Sequence, residues 1–549
     1  MRCLVAREYY SGRLERLWLD GVAKLVCPLP MGENNLYVAY YASAEMGCHL
    51  ALDWSLPKHL LDLFCEFRCQ TNGLQLPVKN DLLGALSLHG LEHIPLVEKK
   101  EMRELALRGG PYTAAEQLAL LDYCQTDVDA LIALLPEMAS KIPIDHALIR
   151  GRYTQAVARM ESVGIPTDLP LLERLRANWD SIQDDLIEDV DKDYGVFEGR
   201  VFKNDLFSEY LSRHQLAWPR LPSGNLDLQD KTFRSMAKTH PQISPLRELR
   251  HSLGQMRLNK FKVGADGRNR TLLSPFGGKT GRNQPSTNKF IFGSSVWLRG
   301  LIKPAEGWGI AYIDWSQQEF GIAAALSGDL AMKQAYASGD PYLEFAKLAG
   351  AVPPDATKKS HAKERALYKE TVLAVNYGMG AESLADRIQQ PVIVAKDLLR
   401  KHRQTFRVFW NWSDGNVDYA LLHKRLWTVF GWQIQVAGTI NARSLANFLM
   451  QANGAEMMRI ACILMTEAGV RVCAPVHDAV LIEAPLDELD ERISQAQELM
   501  REASRQVLGD FELTTDADTY RYPERYRDEE RGGAFWDKVM GLLPDPDVA

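Results

Sequence analysis

Two hydrophobic periodicities divide this chain. From the start to about Ile142, short apolar runs alternate with helical stretches. Leu36-Tyr37-Val38-Ala39-Tyr40 predicts a strand, and Ala114 to Leu135 predicts a helix, because its apolar residues recur at helical spacing. From Ile144 to about Gly254 the pattern is almost wholly that of amphipathic helices, punctuated by Pro166, Pro219, Pro222 and Gly224. Thr271 to Gly300 is rich in Gly, Asn, Ser and Pro and predicts loop with short strands. Beyond it, Gly309 to Asp314 predicts a strand, Gln317 to Ser327 the helix after it, and Gly339-Asp340 to about Val417 further helix. Val470 to Cys473 and Val480 to Glu483 predict a hairpin whose turn carries His477-Asp478. The chain holds no internal repeat and no low-complexity tract.

A length of 549 residues is too great for one core and predicts three or four domains. Hydrophobic content of 46% and charged content of 25% are those of a globular protein. The eight cysteines include no C-x-x-C pair. Cys65 and Cys69, with Cys27 and Cys48 upstream, have poor spacing for zinc and no paired histidines, so they are read as buried thiols in a reducing cytoplasm. No apolar run approaches a membrane span, and Met1 to Glu8 has no signal-peptide core. A cytoplasmic protein of a bacterial or phage-infected cell, with no membrane partner, is expected. The net charge of −7 excludes a broadly basic surface but not a local basic track. Such a track runs through Arg250, Arg257, Lys260, Lys262, Arg268, Arg270, Lys279, Arg282, Lys289, Arg299 and Lys303, with aromatics interleaved. It is expected to form a phosphate-binding wall.

The strongest chemical signal is a pair of aspartates far apart in sequence, each where a strand turns. Asp314 opens Asp314-Trp315-Ser316-Gln317-Gln318-Glu319, and Asp478 follows Val476-His477. Carboxylates on neighbouring strand ends can hold two divalent metals about 3.5–4 Å apart, the arrangement for in-line phosphoryl displacement. Between them, Arg365, Lys369, Leu373 and Tyr377 are each four apart and share one helix face, with His361 one turn earlier. Ala366, Leu367, Val372, Ala374 and Val375 are expected to supply the buried side. Arg365 and Lys369 could then bracket a triphosphate, with Lys369 protonating the leaving pyrophosphate.

These elements, in this order, resemble motifs A, B and C of the family A DNA polymerases, the DNA polymerase I type. Asp314 to Glu319 is similar to D-Y-S-Q-x-E, Arg365 to Gly378 to motif B, and His477-Asp478 to H-D-E. Thr280-Gly281-Arg282 resembles the T-G-R segment that meets the template–primer minor groove. Arg443, Asn447 and Gln451 resemble a helix that tracks the duplex. The similarity runs from roughly Arg150 to the C-terminus. It implies that Asp314 and Asp478 hold two Mg2+ ions, for which Mn2+ can substitute. It implies a nucleotide-binding set of Arg365, Lys369, Glu319, Gln317, Tyr377, Leu373 and His361, with Glu319 excluding a ribose 2′-hydroxyl. It also implies a DNA-binding set of Arg282, Arg443, Asn447, Gln451 and His477. The implied partners are primer–template DNA, dNTPs and other replication proteins. Ala479 stands where the family has Glu, Leu373 where Phe or Tyr is common, Gly321 where many relatives have Arg, and Tyr342 where some have His.

The N-terminal part resembles a 3′→5′ exonuclease domain of RNase H-like fold. Tyr123-Cys124-Gln125-Thr126-Asp127 is similar to Y-x-x-x-D, and Glu45 stands in for a second carboxylate, but D-x-E and its strand are missing, as expected of a domain that is either degenerate or truncated before its first strand. Glu45, Asp127 and Tyr123 would be the residual site, and little or no proofreading is expected. The implied fold is a multidomain α/β chain. Residues 1–143 are exonuclease-like, 144–270 a helical thumb, 271–330 the first palm segment, 331–430 the fingers and 431–549 the second palm segment. A single-subunit RNA polymerase is the nearest rival, opposed by Glu319 and the T-G-R segment. A DNA-binding scaffold without activity is opposed by the two aspartates and Lys369, and a nuclease by the incomplete N-terminal site. With no finger-like or 5′-nuclease domain expected ahead of it, the chain is expected to replicate a mobile element more than to repair a chromosome.

Overall fold

The computed structural model describes residues 3–19, 26–92, 96–255, 258, 261–438 and 441–544. Its N-terminal part contains β1 (Cys3–Arg7) paired antiparallel with β2 (Leu14–Trp18), and β3 (Leu36–Ala39) paired parallel with β4 (His59–Asp62). The expected strand at Leu36 and helix at Ala114 are present, the helix running Ala114–Ala139. Thr113 and Glu116 close a capping box at its start, which satisfies two otherwise orphaned N–H groups. The four strands form two separate two-stranded sheets, not one RNase H-like sheet, because no strand joins β1 to β3 among the described residues.

The helix Ile144–Val163 leads out of this region. It presses against β4 so closely that a Cβ on Gly151 would lie 1.9 Å from the Leu60 carbonyl oxygen, which accounts for glycine there. Five further helices follow, from Leu169–Ala177 to Ser244–Gln255. Between them lies the two-residue hairpin of β6 (Phe197–Glu198) and β7 (Val201–Phe202), and β5 (Ile165–Pro166) returns to pair with β8 (Arg268–Asn269). Part of this segment has its own small core of Tyr194, Phe207, Tyr210, Phe233, Ile243 and Leu246. Short strands expected within Thr271 to Gly300 are not there. Apart from the 3-10 turns Ile291–Gly293 and Val296–Leu301, the segment is loop, since its Gly, Pro and Asn residues break any alternation.

The site rests on a four-stranded antiparallel sheet in the order β12-β13-β9-β14. Its strands are β9 (Trp308–Trp315), β12 (Arg471–Val476), β13 (Ala479–Pro485) and β14 (Thr515–Arg521). A small hairpin of β10 (Arg425–Trp427) and β11 (Gln433–Gln435) stands apart. Helices Ala442–Glu467 and Leu489–Leu508 pack together and support the sheet. The first is buried along nearly its whole length, including polar Asn453, Glu456 and Arg459. These polar groups are paired: Arg459 Nη2 lies 2.8 Å from Glu456 Oε2, and Thr428 Oγ1 donates to Glu456 Oε1 at 2.6 Å. A buried charge left without such partners would cost several kcal/mol. Among the described residues no helix is long and apolar enough to cross a membrane.

Candidate active site

The sheet register brings the two aspartates together. Ala479 pairs with Asp314 across β13 and β9, so Asp478, one residue earlier, lies beside the end of β9. The tight turn from Val476 to Ala479 leaves only His477-Asp478 as its loop, and His477 takes φ +59°. Left-handed backbone suits such a two-residue hairpin and is uncommon outside glycine, a feature that collects at functional sites. Gln317, at the entry to helix Gln318–Ser327, is also left-handed at φ +47°. Ala479 itself is fully buried between the strands.

A third strand adds carboxylates that the motifs did not predict. β14 places Asp516 opposite Asp314, and Ser316 Oγ donates to Asp516 Oδ2 at 2.5 Å. The Tyr336 hydroxyl ties the strand ends by donating to Ser316 O and accepting from Thr514 N, both at 3.0 Å. Burial, then the charges of Asp478, Asp516 and Asp518, push the Asp314 carboxyl up to about 6. No Lys or Arg forms an ion pair with these four among the described residues. Like charges gathered without a direct ion pair, with the Arg282 guanidinium near Asp478, are a donor set that fits a hard divalent cation. No group of three or more His, Cys, Asp or Glu is arranged to hold a metal ion among the described residues. Ions on Asp314 and Asp478 would therefore complete their shells from substrate and water.

Helix Ala362–Asn376 carries the cationic face. Lys369 is exposed, and no acid pairs with it among the described residues. Arg365 differs from the expected free cation: its Nε donates to Asp340, and its guanidinium lies 5.6 Å from the centroid of the Tyr342 ring. His361 is the N-cap residue and not another helical turn, and its ring Nδ1 is 2.9 Å from Ser360 Oγ. Ala366 is exposed instead of buried, because the face drifts round the axis along the helix. Leu373 is half-buried and Tyr377, at the C-cap, half-exposed.

Glu319 is the junction of three elements. It begins helix Gln318–Ser327 and accepts from Gln451 Nε2 and, at 3.5 Å, from Asn376 Nδ2. Burial raises its carboxyl above the usual range, while Gln451 and Arg282 oppose that. Gln451, expected to meet DNA, is instead buried and bound to Glu319. Arg443 packs on Gly378, and the buried Asn447 Oδ1 has no hydrogen-bond partner. Arg282 lies among Glu319, Asp478 and Tyr377, its guanidinium pushed down by burial and its Nε without a partner. Burial also lowers the His477 imidazole, against the Asp478 charge.

The basic track is not one continuous wall. Arg268 pairs with Glu483 at 2.9 Å, Arg270 with Asp266 at 2.7 Å, Arg299 with Asp528 at 3.3 Å and Lys303 with Asp168 at 3.8 Å. Arg250 covers the Phe202 and Phe233 rings. Lys262, Lys279 and Lys289 stay exposed, and Arg257 and Lys260 lie outside the described residues.

The N-terminal carboxylates sit apart from this cleft. Burial pushes Glu45 up to about 8, with Asp62 and Asp127 adding to it. Asp127 pairs with Lys99 at 3.6 Å, and its charge raises the neighbouring Tyr123 phenol beyond the effect of burial. Asp62 has a structural task, accepting from the N–H groups of Tyr41, Ala42 and Phe64 at 2.9–3.0 Å. All eight cysteines are free thiols; Cys65 and Cys69 are buried as expected, whereas Cys27 and Cys48, also expected to be buried, are only partly so.

Residues 284–519 match the family DNA polymerase family A. The chain is 23% identical over 438 residues to DNA polymerase I of Chloroflexus aurantiacus, a match covering 74% of this chain and 45% of that protein. It is 22% identical over 390 residues to the DNA polymerase of Mycobacterium phage L5, covering 69% of this chain and 62% of the relative. The chain thus spans less than half the length of the Chloroflexus relative. Its fold is that of the POL domain of Pol1 from M. smegmatis, solved in complex with DNA primer-template and dNTP. The TM-score is 0.69 at 20% identity, over 92% of this chain and 86% of that one. The strands that carry Asp314 and Asp478 therefore lie within the segment, residues 284–519, that is similar to DNA polymerase family A.

Proposed function

We propose that this chain is a template-directed DNA polymerase that adds deoxynucleotides to a primer 3′-hydroxyl. The observation that carries the reading is the meeting of Asp314 and Asp478 at one end of the sheet, without an ion-pair partner among the described residues and within the segment similar to family A. Bound to these carboxylates, two Mg2+ or Mn2+ ions would supply the positive charge that activates the attacking hydroxyl and stabilises the leaving pyrophosphate. Lys369, exposed and without an acid partner among the described residues, would neutralise the triphosphate and protonate pyrophosphate. Arg365 reaches a phosphate only by exchanging Asp340 for it. Residues 144–270 act as thumb, 271–330 and 431–549 as palm, and 331–430 as fingers. Primer extension with each nucleotide class is the direct test: extension by dNTPs on a DNA template supports the reading, and its absence under magnesium and manganese overturns it.

Glu319 acts as the sugar gate, held in place by Gln451 and Asn376. Glu319→Ala is expected to raise ribonucleotide relative to deoxynucleotide incorporation by roughly tenfold, about 1.4 kcal/mol of discrimination. Competition assays with paired rNTP and dNTP measure that ratio. An active variant with the wild-type ratio places the gate elsewhere.

The N-terminal region does not proofread. Burial pushes the Glu45 carboxyl up, which weakens it as a metal ligand, and Asp127 is engaged by Lys99. A labelled primer incubated with Mg2+ or Mn2+ and no nucleotides should keep its full length. Shortening that disappears in Asp127→Ala would contradict this.

A further inference from the structure

The helix Leu63–Thr71 belongs to the N-terminal region, yet its polar side chains serve the loop that delivers Arg282. Arg68 Nη2 donates to the carbonyls of Phe276 at 2.9 Å and Gly277 at 2.7 Å, and its Nε to Phe276 O at 3.2 Å. Asn72 Nδ2, just past the helix, donates to Lys279 O at 2.6 Å and to Gln433 O at 2.7 Å. Two further donors complete the set: Trp432 Nε1 to Lys279 O at 3.0 Å and Arg459 Nη1 to Gly281 O at 2.8 Å. The loop's own turns satisfy the carbonyls of Ser274, Gly278 and Arg282, and side chains from outside satisfy those of Phe276, Gly277, Lys279 and Gly281. Gly281 turns at φ +76°, where an added Cβ would sit 3.0 Å from Arg459 Nη1 and 3.1 Å from Trp432 Nε1. The next residue is Arg282.

The support is itself anchored. Glu66 on the same helix makes a bidentate pair with Arg150 at 2.6 and 2.8 Å, both side chains buried. Arg150 Nη1 donates to Phe430 O at 3.0 Å, and Cys69 Sγ to Gly431 O at 3.3 Å. The Phe276 ring stacks on Trp432 at 5.2 Å. Helix, loop and the β10–β11 hairpin are thus one hydrogen-bonded block. Within it, Arg68 places a partly buried cation on carbonyl oxygens and forms no ion pair among the described residues. Burying a charge for a purely local cap is expensive, and a neutral donor would serve.

We propose that Arg68 and Asn72 are positioning residues for Arg282. On this inference the N-terminal region contributes to duplex binding by holding the 276–282 loop in place. This rests on the polymerase reading above. The test is a mutant cycle in the full-length chain, reading the Kd for a fluorescent primer–template by anisotropy together with turnover. Arg68→Ala is expected to raise Kd about tenfold, the scale of one charge-assisted hydrogen-bonding group. Turnover at saturating duplex should fall by a smaller factor, and Arg68→Lys should recover part of the loss. If Arg68 acts through Arg282, adding Arg68→Ala to Arg282→Ala leaves Kd where Arg282→Ala alone put it. Losses that multiply in the double variant, or an unchanged Kd in Arg68→Ala, overturn the inference. Should Arg68→Ala fail to fold, Asn72→Ala runs the same cycle, with the same two outcomes deciding. A wild-type chain that neither binds nor extends primer–template sinks the polymerase reading itself, a result distinct from either.

Discussion

Asp314→Asn or Asp478→Asn should reduce primer extension by at least roughly a thousandfold, about 4 kcal/mol of transition-state stabilisation. Both residues lie at the sheet end where carboxylates gather without a direct ion pair among the described residues, so removing either negative charge removes half of the cation-binding pair. The substitution has a second, opposite effect. The Asp314 carboxyl is held up near 6, above its ordinary value, so its ionised form is disfavoured in the folded chain. A raised carboxyl gives full stability below its unfolded pKa and loses it as pH rises through the folded value, about 6. Asp314→Asn avoids that loss. Its melting temperature without divalent ions should equal or exceed wild type at pH 7 to 8, and the difference should close at pH 4. Gel extension assays and thermal melts check both arms. Near-normal extension by either variant would refute the assignment, and a large drop in melting temperature would show that lost folding, not lost charge, explains the inactivity.

Lys369→Ala is the second large effect. A cation aimed at a transferring phosphoryl group is worth roughly 10³–10⁵ in rate in comparable roles. Lys369 is exposed, so its removal should not harm the fold. Single-turnover rates at saturating nucleotide should fall by about 10³. Arg365→Ala should differ in kind, raising the apparent KM for nucleotide more than it lowers turnover. The ion pair to Asp340 explains why: Arg365 gives up one carboxylate to engage a phosphate, so part of its interaction is already satisfied without substrate. A Lys369→Ala enzyme with wild-type turnover would remove Lys369 from the chemistry.

Strong, local patterns made much of this molecule legible in the sequence. The apolar run before Asp314 became β9, and the paired runs around His477-Asp478 became a hairpin with those residues as its turn. Helical spacing placed Lys369, Leu373 and Tyr377 along one helix, with Tyr377 at its cap. What escaped was β14, whose Thr515-Asp516-Ala517-Asp518-Thr519 carries no alternation of large apolar residues. It is an edge strand, held by backbone hydrogen bonds to β9 and mostly exposed, and side-chain patterning does not record such bonds. Asp516 escaped with it.

The sequence by itself determined which groups are present and which neighbours they have within one element: two aspartates at strand ends, a cationic helix face, a glutamate in the first turn of a helix. Only the tertiary structure decided how those groups are spent. It gave Arg365 to Asp340, Gln451 to Glu319, and Arg268, Arg270, Arg299 and Lys303 to carboxylates, while leaving Lys369 without an acid partner among the described residues. It also set the N-terminal helix Leu63–Thr71 beneath the loop of Arg282. The physical reason is range. Periodicity and capping act over a few residues, whereas a charge is neutralised by whatever the packing brings within a few ångströms, here from residues as much as 357 positions away, as Arg525 is from Asp168.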